Sequence, residues 1–206
     1  SYLGAMLDAN AFDTICHEHL EYYSLGILHQ ILNGHGLRIF RAELNNANGG
    51  SLRVFACHAT APTPSEGMVD KILSEEDERG LLTAAPMLDF RNRSLKLRDE
   101  ILGLIERIVS EGKDICVYGA STKGNTMLNF CGIGSDLIEY TVDISPHKQG
   151  LYMPGSHIYV KKYNKPLTNE ADYVFLGAWN FKKEIMSKEK NFIKRGGKFI
   201  THVPKA

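Results

Sequence analysis

Apolar residues at positions 25, 27, 28, 31 and 32 form one stripe along Ser24–His35, which predicts an amphipathic helix with Ser24 as its N-cap and Gly36 as its stop. Two β-rich runs follow, Leu37–Leu44 and Ser51–His58, joined by Asn-Asn-Ala-Asn-Gly-Gly. Asn and Gly tolerate positive φ, so the pair reads as an antiparallel hairpin. The first 58 residues therefore predict loop, helix, strand, strand. Pro62 and Pro64 break the pattern and suggest a domain boundary. From Glu66 to about Gly112 the spacing is helical, interrupted at Gly80 and Pro86. Leu95, Leu97, Ile101, Leu104, Ile105 and Ile108 mark the apolar stripe of its last piece, and Arg91, Arg93, Lys96, Arg98, Asp99 and Glu100 its solvated face.

Beyond Gly112 the rhythm changes. Strands are expected at Ile115–Tyr118, Ile138–Val142, 157–160, Tyr173–Gly177 and Lys198–Val203, with one helix opened by the stretch 119–126 and running through Phe130 and another over Phe181–Lys194. Alternating β and α units of this size imply an α/β fold with a parallel sheet and helices on both faces.

A length of 206 residues allows one large domain or two small ones. Lys plus Arg equals Asp plus Glu at 24 each, so the basic surplus that phosphate backbones attract is missing and nucleic acid is not an expected partner. Apolar runs are only a few residues long, which excludes a membrane-spanning helix, and the first residues carry no secretion signal. Cys16, Cys57, Cys116 and Cys131 form no CxxC pair and read as reduced thiols of a cytoplasmic protein. Three of them stand in apolar contexts suited to core packing, and Cys16 is the exception.

Three groups of residues could carry chemistry. Cys16-His17-Glu18-His19 is followed by Glu21, Tyr22 and Tyr23, too many polar groups for a core segment. A His or Glu here could serve as a general base, the His-x-His pair could hold a metal, or the stretch could be a polar surface loop. Gly119-Ala-Ser-Thr-Lys-Gly-Asn-Thr126 lies between a strand and a helix, where Gly119 and Gly124 allow close approach and Ser121, Lys123, Asn125 and Thr126 offer donors to phosphate. It has neither P-loop nor GxGxxG spacing, and an ordinary strand-to-helix turn explains it equally. Asp143, at a strand end, could meet a ribose hydroxyl, while Trp179 and Asn180, at another, could stack on and bond to a base or sugar; Trp179 could equally be core. Lys148 belongs to the long connection that could fold over such a ligand. All these positions fall on one edge of the expected sheet, which favours a nucleotide-binding crevice.

The strings FDTICHEHLEYYSL, NGGSLRVF, VYGASTKGNTMLNFCGIG, VDISPHKQGLYMPGSHI, AWNF and RGGKFI occur in the order found in sugar C-methyltransferases, and from Phe12 to Val203 the chain resembles the later part of that family. The resemblance implies an S-adenosylmethionine-dependent enzyme that methylates a ring carbon of a nucleotide-linked 4-keto deoxysugar. It implies that residues 1–60 are the end of the methyltransferase domain, 61–112 a helical connector, and 113–206 a Rossmann-like domain engaging the sugar nucleotide. By the same match His19 is the base that removes the proton beside the ketone, with Glu18 as the rival and His17 adjacent, and Tyr22 and the strand-edge residues contact substrate. The donor-binding loop and the zinc cysteines of the family's N-terminal half have no counterpart here, so an isolated chain of this kind is expected to need that half as a partner and to be inactive without it. Cys16 stands where the family often has Tyr, and a thiol lacks a phenol's reach. The rival readings are a plain NAD- or nucleotide-binding module and a metal-dependent enzyme using His17 and His19.

Overall fold

The computed structural model describes residues 2–164 and 171–203, which form two compact units: 2–11 with 17–93, and 12–16 with 94–203. The division falls within a helix at Arg93/Ser94, whereas Pro62 and Pro64 lie inside the first unit.

In the first unit, α1 (Leu3–Ala9) stands where the sequence predicted a loop. Its Met6 and Leu7 are buried, and Asn10 ends it in the left-handed conformation. The element is short and has no side-chain cap at its start, which is why periodicity alone passed over it. α2 (Leu25–Asn33) begins at Ser24, whose hydroxyl accepts the Ile27 N–H. β1 (Leu37–Asn45) and β2 (Ser51–His58) pair antiparallel, with an irregularity at Phe40, and the connecting Asn48, Gly49 and Gly50 all have positive φ. α3 (Gly67–Glu78) lays Val69 and Ile72 on Leu25, Ile39 and Ala42, so the helix expected as part of a connector helps build this core. The buried carboxylate of Glu76 accepts the Leu25 and Gly26 N–H groups at 2.7 and 2.8 Å, capping α2 from 50 residues away. α4 (Ala85–Ser110) tolerates Pro86 because a first-turn residue needs no helical N–H bond.

The second unit is the expected α/β element. β3 (Ile115–Tyr118), β4 (Tyr140–Asp143), β5 (Tyr159–Lys162), β6 (Tyr173–Leu176) and β7 (Lys198–Ile200) form an all-parallel sheet in the order β5-β4-β3-β6-β7. Counted from β3 this is 3-2-1-4-5, a doubly wound Rossmann-like order that reverses between β3 and β6. α5 (Thr122–Cys131) connects β3 to β4, and α6 (Lys182–Lys188) with α7 (Lys190–Lys194) connects β6 to β7. Successive residues of the central strands are buried on opposite faces: Cys116, Val174 and Leu176 pack with Ile185 and Phe192, while Val117, Thr141 and Phe175 are also inaccessible. A sheet covered on both sides requires such continuously apolar strands. The single helix expected over Phe181–Lys194 is divided at Glu189, where the backbone leaves helical geometry and the carboxylate turns inward. Cys116 and Cys131 are buried as expected, but Cys57 on β2 is half-exposed and lies outside the core. No helix among the described residues is long and apolar enough to cross a membrane.

Candidate functional site

The carboxyl ends of β3, β4 and β6 open into a crevice of about 390 Å³, at the point where the strand order reverses. Both sides of the β3–α5 turn are committed to structure. Ser121 caps α5, accepting the Gly124 N–H at 3.0 Å and donating to the Gly177 carbonyl at 2.6 Å. The glycines meet one another: a Cβ on Gly124 would stand 2.8 Å from the Gly177 Cα, and one on Gly177 would stand 2.6 Å from the Gly119 carbonyl oxygen. Close backbone packing of this turn against the end of β6 thus accounts for these glycines without a ligand. Thr126 donates to the Thr122 carbonyl within the helix, and the Asn125 amide oxygen is inaccessible and without a hydrogen bond among the described residues.

Asp143 ends β4 at the crevice rim. One carboxylate oxygen accepts the Ala120 N–H and the other the Ser145 N–H, both at 2.8 Å. Each keeps a lone pair for a further donor. Lys148 reaches back over the turn to donate to the Ala120 carbonyl at 2.7 Å, with Asp143 3.8 Å away.

The interior of the crevice is apolar and aromatic: Tyr118, Tyr163, Ile144, Phe181 and Ile185 line it. The Tyr118 and Tyr163 rings meet edge to face, 5.3 Å apart, and Tyr163 donates its hydroxyl proton to buried Glu189. Burial raises both phenol pKa values; Glu189 adds to the rise at Tyr163. The phenols therefore stay protonated at neutral pH and act as hydrogen-bond donors, not bases. Lys188 at the rim is held by Glu184 at 2.5 Å, and this hydrogen bond raises its pKa. Such a lining suits a planar, uncharged ring with hydroxyl groups better than a phosphate.

Trp179 does not line the crevice; its neighbours Ala178 and Phe181 do. Its indole N–H is donated to Asp13 at 2.6 Å, and the Lys123 ammonium lies 4.9 Å from the ring centroid. Asn180 is exposed. The structure thus brings Ser121 and Asp143 to the crevice and sets Gly124, Trp179 and Asn180 outside its lining. Tyr118, Tyr163, Phe181 and Glu189 escaped the sequence reading, as did Asp13. Tyr118, directly before Gly119 at a strand end, was the one local signal available.

A second cavity of about 370 Å³ borders Tyr140, Lys161 and Arg195, with Asn164 and Ala171 also in its lining.

The segment His17–Glu21 belongs to the first unit. His17 and Glu18 are exposed in a turn; His19 is half-buried, its ring centroid 6.1 Å from that of Tyr22 in an edge-on arrangement. Among the described residues no group of three or more His, Cys, Asp or Glu side chains is placed to hold a metal ion. Cys16 closes the preceding segment, half-exposed.

Residues 46–204 match the C-methyltransferase C-terminal domain family. Over 203 residues the chain is 37% identical to the C-methyltransferase NovU of Streptomyces niveus, an alignment covering 98% of this chain and 48% of that protein. The chain thus spans about half the length of the curated relative it matches. With a match over most of its length, on a five-stranded parallel sheet, the chain belongs to the C-methyltransferase C-terminal domain family.

Proposed function

We propose that this chain is the part of a C-methyltransferase that holds a nucleotide-linked keto-deoxysugar and supplies the base for its methylation. The observation that carries this reading is the aromatic crevice at the strand-order reversal, in a chain of this family. The nucleotide's ring enters between Tyr118, Tyr163 and Phe181, a sugar hydroxyl donates to Asp143, and Lys123 and Lys148 are the cations on this edge for the diphosphate. Tyr22 contacts the sugar. His19, with Glu18 as its rival, removes the proton beside the ketone; the enolate carbon then takes the methyl group. Holding the reacting carbon in line with the donor is the main demand on the intact protein.

The donor this reading calls for is S-adenosylmethionine, and the described residues do not fit it. The glycines of the turns that follow β3 and β6 pack on one another, Gly124 against the Gly177 backbone and Gly177 against the Gly119 carbonyl, leaving no cradle there. The donor site is therefore assigned to the remainder of the longer protein, and the chain alone is inactive because half of a two-substrate site stabilises no transition state. His19→Ala in the intact methyltransferase should abolish methyl transfer and leave nucleotide affinity within about twofold; retained turnover would remove His19 from the role of base, and parallel loss in Glu18→Gln alone would transfer it. The 3-2-1-4-5 strand order favours one other reading, a dinucleotide-binding module, for which NAD would bind in place of a pyrimidine nucleoside diphosphate.

A further inference from the structure

Asp13 sits in a 3-10 turn (Phe12–Thr14) with its side chain fully inaccessible. Among the described residues it forms no ion pair with a Lys or Arg. One oxygen accepts the Trp179 indole N–H at 2.6 Å, and the same oxygen stands 3.2 Å from Nε2 of His202, also fully buried. The other oxygen has no partner among the described residues. The surroundings are otherwise aromatic: Phe12 packs on Phe130, and the His202 ring stacks on Phe175 and meets Trp179 edge-on.

A buried carboxylate in such a setting is costly, and apolar side chains in place of both the carboxylate and its indole partner would fill the space at least as stably. What the carboxylate adds is direction. The indole it holds lies in the short turn Trp179–Phe181, entered through Ala178 in a non-helical conformation (φ −116°, ψ 58°). Ala178 and Phe181, on either side of the anchor, form one wall of the crevice. Phe181 is 54% exposed, so its own packing cannot fix that wall.

We propose that Asp13 is a positioning residue for the crevice: through the Trp179 N–H it sets the Ala178–Phe181 wall against which the bound ring rests. This inference rests on the reading that the crevice takes the nucleotide, and its test separates the two. In the intact methyltransferase, Trp179→Phe removes the indole N–H while keeping an aromatic ring, although a smaller one, Asp13→Leu removes the acceptor, and the double variant removes both polar partners together. The readouts are KM for the keto-sugar nucleotide, KM for the methyl donor, kcat, affinity for thymidine diphosphate, and thermal midpoint.

Each single variant should raise the nucleotide KM and weaken thymidine diphosphate about tenfold, with kcat and donor KM within twofold. The double variant should recover thermal stability toward wild type, since no indole N–H is then left without its acceptor, yet keep the raised KM. A double variant whose KM recovers along with its stability, or single variants with unchanged nucleotide KM, would overturn the role of Asp13. If Asp13→Leu does not fold, Trp179→Phe and the double variant carry the same comparison. Wild-type protein that binds no nucleoside diphosphate would overturn both this inference and the crevice reading beneath it.

Discussion

Replacing Gly124 by Ala tests whether the glycines of the β3–α5 turn serve backbone packing. In an open helical position the change stabilises by up to about 1 kcal/mol, because Ala loses less backbone entropy. At Gly124 the new methyl would lie 2.8 Å from the Gly177 Cα and 3.1 Å from its carbonyl oxygen. Both neighbours are backbone, so α5 or the end of β6 must move, and overpacking of this kind costs about 1–3 kcal/mol. The clash outweighs the propensity gain, for a net loss of up to about 2 kcal/mol even when that gain is realised in full. Gly103 provides the control: it is exposed in α4, and nothing lies within 4 Å of a Cβ built there. Gly103→Ala should stabilise by up to about 1 kcal/mol. Both positions belong to the second unit, so one calorimetric transition reads both. At roughly 2–4 °C per kcal/mol, the two variants should melt about 2–12 °C apart, with Gly103→Ala above wild type and Gly124→Ala below. A Gly124→Ala protein that melts with or above wild type would refute the packing account and return these glycines to the role of a ligand cradle.

Glu76→Ala should destabilise the first unit by about 2–4 kcal/mol, measured by urea denaturation, because one buried and one partly buried N–H group at the start of α2 lose their acceptor; Glu76→Gln should lose less, since one oxygen remains. Burial pushes the Cys131 thiol up to about 12. Alkylation of native protein at pH 8 should therefore modify half-exposed Cys16 and spare Cys131 until the protein unfolds, whereas modification of Cys131 in the folded protein would show that its burial is misassigned. The same raised pKa sets a sign for alkaline pH. Above its ordinary value of 9 the unfolded chain releases this proton while the folded chain keeps it, so stability falls as pH rises from 9 toward 12, by at most about 1.4 kcal/mol per pH unit for this group. A urea midpoint that rises across pH 9–10 would contradict that sign.

The strands and helices that bury one clear stripe were legible: α2 with its Ser24 cap, the β1–β2 hairpin with its Asn-Gly turn, and the central strands of the parallel sheet. Order within the sheet was not, because it depends on which strands pair at long range. That order explains the glycines, since Gly124 and Gly177 touch only because β3 and β6 are neighbours. The break at Glu189 has the same origin, a carboxylate drawn inward to a phenol 26 residues earlier. Asp13 and Trp179 are 166 residues apart, and no local pattern links them. Trp179 was correctly placed at the end of a strand, yet whether an indole at that place faces a ligand or a buried carboxylate is a property of the packed structure.

The central claim is that the crevice between Tyr118, Tyr163 and Phe181 receives the nucleotide end of the substrate. Titrating the intact protein calorimetrically with thymidine diphosphate, and then a Phe181→Asp variant, tests it most directly. The account predicts one site per chain for the wild type, at least tenfold weaker in the variant, with S-adenosylhomocysteine binding unaffected by the substitution or by bound nucleotide. Nucleotide affinity indifferent to the change at Phe181, or S-adenosylhomocysteine competing for the same site, would contradict it.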